Sequence, residues 1–346
     1  VGDPAFGSAG VTIALTSTAF ALHVKELGNS KLGFLGTGLT IAYTAAQLNS
    51  DGSLDSSFAT DGISRIALST TGSFSVGIYR PNEKGIVAGR IASDFLIHQV
   101  TDAGVTDTSF GTSGSAVVDF WGESDLPRAL HLQTDGKLLV VGQADRGANK
   151  DFAMARLHTD GSLDATFGTA GKVTLSDPAF PIIDGAAVRQ QSDGKIIVGG
   201  TVSNEAEDST GRLLARFTTN GSLDETFGTQ GVANPADGIE LIASGVLHDF
   251  FYSVNDLEIQ SDDRIVAGGL GVKLPGGAEF TMSLARFTKD GAIDASFGNS
   301  GFLTPSFGGT LEYATNLILD GSTFFVTGLR VPPGEFVGNV IIAKVK

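Results

Sequence analysis

The sequence predicts an all-β chain: a six-bladed β-propeller of four-stranded antiparallel blades, closed by its N-terminus completing the last blade. Three observations carry this reading. One motif recurs six times along 346 residues, two further markers keep register with it, and no stretch shows long helical periodicity. Residues 1–346 are read as one propeller domain, with repeats starting near Phe6, Phe58, Phe110, Phe167, Phe227 and Phe297.

The motif is Asp-x-x-Phe with Gly four residues after the Phe. It occurs at Asp3-Phe6-Gly10, Asp55-Phe58-Gly62, Asp107-Phe110-Gly114, Asp164-Phe167-Gly171, Asp224-Phe227-Gly231 and Asp294-Phe297-Gly301. Successive Phe positions differ by 52, 52, 57, 60 and 70 residues. From Phe297 to Lys346 there are 50 residues, and the five before Phe6 bring that unit to 55, so the spacing closes when the N-terminus completes the last unit. The second marker is a Gly ending an apolar run, at Gly36, Gly89, Gly142, Gly200, Gly269 and Gly328. The third is a polar residue followed by an apolar one at a strand end: Gln47-Leu48, Gln99-Val100, Arg156-Leu157, Arg216-Phe217, Arg286-Phe287 and Lys344-Val345.

Each unit reads as four strands. In the third unit these are Ser115–Phe120, Arg128–Gln133, Lys137–Val141 and Phe152–Leu157. Asp135-Gly136 joins the second to the third, and Asp160-Gly161 follows the fourth. Asp-Gly between apolar runs is a strong hairpin signal and suggests type I′ turns, with positive φ at both central residues. Asp193-Gly194 and Asp320-Gly321 are equivalent, and Asp262-Asp263 is a degraded version. The 47 glycines suit many tight turns and short strands. Four antiparallel strands in this length match a propeller blade, and radial repetition buries each blade face on the next. A linear β-solenoid, the rival, leaves the motif at Asp3–Gly10 without a role.

The phrase Asp160-Gly-Ser-Leu-Asp-Ala-Thr-Phe-Gly168, preceded by Asp135-Gly-Lys137 and Ala155-Arg-Leu157, resembles the delta-sixty repeat family, β-propeller-type repeats of bacterial secreted and surface proteins. The resemblance covers the whole chain and is most specific in units three to five. Unit two departs from it: Ala103-Gly104 stands for Asp-Gly, and Ala59 for the Gly after Phe. The resemblance implies the fold and an extracellular bacterial setting (secreted, cell-surface or periplasmic). It implies no single activity and no catalytic residues.

Composition narrows the partners. The formal charge of −15 opposes nucleic acid, whose phosphates need a basic face, and anionic membrane surfaces. It permits divalent cations or cationic partners. Cysteine is absent, which excludes disulfides, Cys-ligated zinc and a thiol nucleophile. No apolar run is long enough for a membrane-spanning helix. The chain opens at Val1 without a signal-peptide pattern, as after removal of a leader or in an excised fragment.

The repeated residues invite a calcium reading, since Asp3, Asp55, Asp107, Asp164, Asp224 and Asp294 recur in register. Calcium needs six to eight oxygens, and the motif offers one firm carboxylate per unit. The favoured reading is that each Asp accepts hydrogen bonds from its own turn. Calcium stays a candidate ion, and no other cofactor is implied. The cation or Gln at Gln47, Gln99, Arg156, Arg216, Arg286 and Lys344 is expected to reach a neighbouring carboxylate or carbonyl. The repeated Phe is expected to pack between blades.

Chemistry is expected where the units disagree. The turns and Asp-Gly-Ser-Leu-Asp links fall on one end of the blades, and loops of varied length on the other. Two clusters on the variable end are candidate binding residues. Trp121, Glu123 and Asp125 place the chain's one Trp in an acidic loop; His248, Asp249, Phe250, Phe251 and Tyr252 lie in the longest insertion. No His-Glu-x-x-His and no Gly-x-Ser-x-Gly occurs, and no catalytic residue is assigned. The reading is an extracellular, non-enzymatic binding or adhesion module for a glycan or protein. The alternatives are a carboxylate-based hydrolase or lyase acting on a polysaccharide, and a structural spacer of a larger surface protein. The sequence leaves the oligomeric state open.

Overall fold

The computed structural model describes residues 20–37, 42–67, 72–177, 181–203, 210–228, 242–243, 253–273, 279–321, 323–334 and 339–345. The chain divides into two compact units, Val1–Val140 with Ala155–Asp164, and Val141–Met154 with Ala165–Lys346. Among the described residues the only helix is one 3₁₀ turn, Gly28–Ser30; everything else regular is strand.

In the first unit, β1 (Phe20–Glu26), β2 (Leu32–Thr37), β3 (Ala42–Leu48) and β4 (Ile63–Ala67) form an antiparallel sheet in that order. β5 (Gly72–Tyr79), β6 (Gly85–Ile91), β7 (Asp94–Val100) and β8 (Ser115–Val118) form a second. β9 (Asp125–Leu132), β10 (Leu138–Arg146) and β11 (Asn149–Leu157) are neighbours in a third, with β12 (Lys172–Leu175) on β11. The division between the units cuts across the β10–β11 hairpin.

The second unit continues the pattern with β13 (Ile182–Gln190), β14 (Ile196–Ser203), β15 (Thr210–Phe217) and β16 (Ile242–Ala243). Then come β17 (Asp256–Ile259), β18 (Ile265–Lys273), β19 (Glu279–Phe287) and β20 (Phe302–Leu303). Last are β21 (Leu311–Asp320), β22 (Thr323–Val331) and β23 (Asn339–Val345). Lys150 with Ile182 and Phe280 with Leu311 are single parallel contacts that join otherwise separate sheets.

Among the described residues, the strand that follows an Asp-x-x-Phe motif does not open a new sheet, contrary to the expectation for Ser115–Phe120. β8 pairs with β7, the strand just before the link, and β4 pairs with β3. The link is a fold-back. Asp107 N donates to Gln99 O at 2.9 Å, and Gln99 N donates to Gly114 O at 3.0 Å, so the chain returns along the strand it has left. The same return recurs at Gln47 N to Gly62 O and Arg286 N to Gly301 O, at 3.1 and 3.0 Å.

The hairpin turns also differ from expectation. Gly136 has φ of 84°, whereas Asp135 is not in the positive region. Gly136 N donates to Gln133 O and Gln133 N to Lys137 O, at 2.9 and 2.8 Å. This is a type I turn followed by one left-handed residue, the three-residue hairpin loop rather than type I′. The geometry outlasts the glycine: Asp263 and Glu83, each with φ of 64°, take the same place.

The second sequence marker has a backbone cause. A β-bulge interrupts β1, β5, β13 and β21, and the strand residue beside it pairs with the marker glycine: Ala21 with Gly36, Phe74 with Gly89, Gly185 with Gly200, Ala314 with Gly328. A Cβ at Gly200 would run into the Asp184 carbonyl, and one at Gly328 into the Tyr313 carbonyl. The bulge adds twist, and only a residue without Cβ lets the partner strand follow it.

Successive sheets pack face to face. In the first unit Leu35, Tyr43 and Ala45 meet Phe74, Val87, Leu96 and Val100. In the second, Ile197 and Leu214 meet Leu257, Ala267 and Ala285, and Val266, Met282 and Leu284 meet Leu317, Phe324 and Val326. Strands covered on both faces read as unbroken apolar runs, as Leu138–Val141 does. The repeated Phe side chains seal these junctions: Phe58, Phe110, Phe167, Phe227 and Phe297 are all buried.

Candidate functional site

The repeated charges sit at the link end and neutralise one another. Asp107 Oδ1 accepts from Ser109 N and Oγ at 3.1 and 2.5 Å, and Asp224 Oδ1 from Thr226 N and Oγ1 at 3.1 and 2.6 Å. The second carboxylate oxygen takes the residue of the third marker. Gln99 Nε2 reaches Asp107 at 2.7 Å, while Arg156, Arg216 and Arg286 Nε reach Asp164, Asp224 and Asp294 at 2.8 Å. A further cation arrives from the strand after the hairpin turn: Lys31 on Asp55, Lys84 on Asp107, Lys137 on Asp164, Lys195 on Asp224. For Asp107, burial works against ionisation, but hydrogen bonds from Lys84, Ser109 and Gln99 outweigh it and hold the carboxyl well below its usual range. These carboxylates already serve protein donors, which does not suit them to calcium. Asp3 and Phe6 lie outside the described residues.

The variable end holds a different arrangement, built from the β6–β7 hairpin and the β8–β9 loop. Asp125 is fully buried; its Oδ2 accepts from Phe120 N at 2.9 Å and its own N donates to Ser93 O at 2.5 Å. Gly122, with φ of 74°, donates to Asp119 Oδ1 at 2.6 Å, and Arg90 NH1 donates to Ser124 Oγ at 3.0 Å. The Phe120 ring is buried edge-on against Phe95, with centroids 5.2 Å apart. The loop is therefore held at both ends, and it presents Trp121, 47% exposed, beside the exposed Glu123.

Asp94, at the start of β7, and Asp119 join Asp125. The three can each offer a carboxylate oxygen within 4.8 Å of the others. Burial pushes the Asp94 carboxyl up, and the Asp119 charge adds to it. Such a group supplies three of the six to eight oxygens that calcium takes. Sequence reading singled out Trp121, Glu123 and Asp125 but missed Asp94 and Asp119, which come from opposite ends of β7 and β8 and meet only in the folded sheet. His248, Asp249, Phe250, Phe251 and Tyr252 lie outside the described residues. Elsewhere on the variable loops Arg146 Nε binds the buried Asp151 at 3.0 Å. His98 is buried, with Nδ1 2.8 Å from Ser115 Oγ, and burial lowers it to about 4, so it stays neutral and packs.

Four segments of the chain are similar to a β-propeller repeat family, which supports a β-propeller repeat architecture. Residues 44–58, 133–167, 191–227 and 260–297 match the family described as a domain of unknown function (DUF5122), beta-propeller. These segments contain four of the fold-back links, the one at Asp107 lying outside them, and in three cases the hairpin turn and the two strands before the link. Solved structures agree on the fold. A polysaccharide lyase, Uly1, aligns at 10% identity with a TM-score of 0.51 over 99% of this chain and 84% of its own. The PQQ-bound aldose sugar dehydrogenase of Streptomyces coelicolor aligns at 11% identity with a TM-score of 0.50, over 96% and 95%. No curated protein matches the chain. One fold here carries unrelated chemistries, so function must be argued from the site.

Proposed function

We propose that the chain is a six-bladed propeller of the delta-sixty type that serves as an extracellular, non-enzymatic binding module for a glycan or a protein surface. The observation that carries the function is Trp121: a half-exposed indole on a loop tied down by Asp125, Asp119 and Ser124. An aromatic displayed on a pre-set loop binds a sugar face or an apolar side chain with little ordering cost. The blade count rests on five groups of four strands, β1–β4 through β17–β20, followed by the three strands β21–β23. Closure is proposed on the sequence alone: Asp3-Phe6-Gly10, outside the described residues, is a sixth copy of the motif that precedes the fourth strand elsewhere.

The chain has one Trp, so its fluorescence reports this loop alone. A glycan array followed by fluorescence titration of the hits is expected to quench or shift that emission, and Trp121→Ala is expected to abolish binding with the melting temperature unchanged. Binding that survives the substitution, or none to glycans or candidate protein partners, would defeat the reading. A second reading, a carboxylate-based hydrolase or lyase acting on a polysaccharide, is favoured by the Asp94, Asp119 and Asp125 group. Release of new reducing ends or unsaturated products, lost in Asp119→Asn, would favour it instead.

A further inference from the structure

We infer that Asn220 is a site of non-enzymatic modification: loss of its side-chain amide through a cyclic imide with the Gly221 nitrogen. Asn220-Gly221 is the one Asn-Gly pair in the chain. In the equivalent turns Asp51, Asp160 and Asp290 precede the glycine, and Ala103 does so in unit two. Asn220 is exposed on its turn, where its Oδ1 accepts from Thr218 Oγ1 and from Ser222 N, the latter at 3.3 Å.

The fold demands the feature that makes this Asn labile. Gly221 has φ of 86°, and a Cβ there would lie 2.9 Å from the Phe167 ring and from Val173 Cγ2. No side chain is tolerated, and the absence of one leaves the Gly221 nitrogen unobstructed in its attack on Asn220 Cγ. In that step the N–Cγ bond forms, the Cγ–Nδ2 bond breaks, and ammonia leaves with the proton from Gly221. Water then opens the imide at one of its two carbonyls. One product is an ordinary aspartyl residue in place of Asn220, the other an isoaspartyl linkage that carries the main chain through the side chain.

The two products differ in consequence. Asp160 shows how the first fits, since its Oδ1 accepts from Ser162 N and Oγ at 2.9 and 2.7 Å. The second adds a methylene to the main chain at the point where Asn220 O accepts from Gly168 N at 2.8 Å and Phe167 packs beneath Gly221. In the closed turn Gly221 N donates to Thr218 O at 3.0 Å, so the reaction runs through local opening of the link and reports how often it opens.

The test is peptide mapping by mass spectrometry after prolonged incubation of the intact chain in mildly alkaline buffer, beside a free peptide spanning residues 214–226. Amide-to-acid conversion is expected at Asn220 ahead of every other Asn, more slowly than in the peptide, yielding aspartyl and isoaspartyl forms. Asn220→Gln is expected to lose the modification. Asn220→Asp is expected to keep the parent melting temperature, while the isoaspartyl fraction melts lower. Conversion first at another Asn, or an intact Asn220 after the peptide is consumed, would overturn the inference.

Discussion

The amide of Gly111 donates to the carbonyl of Asp160, 2.7 Å away in the next repeat, and the ring of Phe110 lies under Gly161. The same staple recurs as Ala59 to Ala103, Gly168 to Asn220 and Gly228 to Asp290, at 3.0, 2.8 and 2.9 Å. In these four links the Phe and the residue after it hold the turn of the following link, which explains why Asp-Gly-Ser-Leu-Asp-x-x-Phe-Gly repeats as a unit. Gly161 has φ of 84°, and a Cβ would lie 2.8 Å from Gly111 N. Gly161→Ala is expected to cost roughly 2–4 kcal/mol, combining left-handed strain with overpacking. Urea unfolding would show it as a lower midpoint.

The pair Arg156–Asp164 is almost wholly buried, with side-chain exposures of 8% and 1%. Arg156→Ala removes the buried cation, leaves the carboxylate to the more exposed Lys137, and should cost about 3–5 kcal/mol. Arg156→Gln should cost distinctly less, because Gln99 already makes the equivalent bond to Asp107 in unit two. Equal losses for the two variants would refute the equivalence.

Acid should loosen the links. Asp107 and Asp224 are buried, yet hydrogen bonds from Lys84, Ser109 and Gln99, and from Thr226 and Lys195 with the Arg216 charge, hold both well below the usual carboxylate range. A carboxyl with a depressed folded value contributes stability that is present above its unfolded value, about 4, and is lost as pH falls below it. Thermal melts should therefore drop steeply below about pH 4. Asp107→Asn should lower the neutral-pH melting temperature and flatten that drop. Asp94 has the opposite sign: its raised carboxyl destabilises the fold when charged, so Asp94→Asn should not destabilise at neutral pH.

Tyr43 is fully buried between Phe74 and His98, ring centroids 5.3 and 5.6 Å away, and its hydroxyl has no hydrogen-bond partner among the described residues. An unsatisfied buried hydroxyl costs desolvation without return. Tyr43→Phe is expected to raise stability by about 1 kcal/mol. A fall in melting temperature would show that the hydroxyl contributes to the fold.

The strand content and the repeating β unit were legible in one chain, because repetition makes local signals add. Asp-Gly turns, alternating apolar residues and glycines in register are each set by backbone sterics within a few residues. Trp121 and Asp125 stood out for a similar reason, as unusual residues on a loop.

Other features depended on contacts between residues far apart in sequence. The strand after each motif belongs to the sheet before it because the link folds back through Gln99 and Asp107, a direction no hydrophobic pattern encodes. The marker glycines answer to bulges on the neighbouring strand, and the link glycines to a phenylalanine about fifty residues earlier. The grouping of Asp94 and Asp119 with Asp125 needed two adjacent sheet connections to be placed in space. Composition and spacing alone determined that this protein is built of repeated β units with charge spent at their links. Tertiary structure decided what each repeated residue holds, and which carboxylates meet beside the one tryptophan.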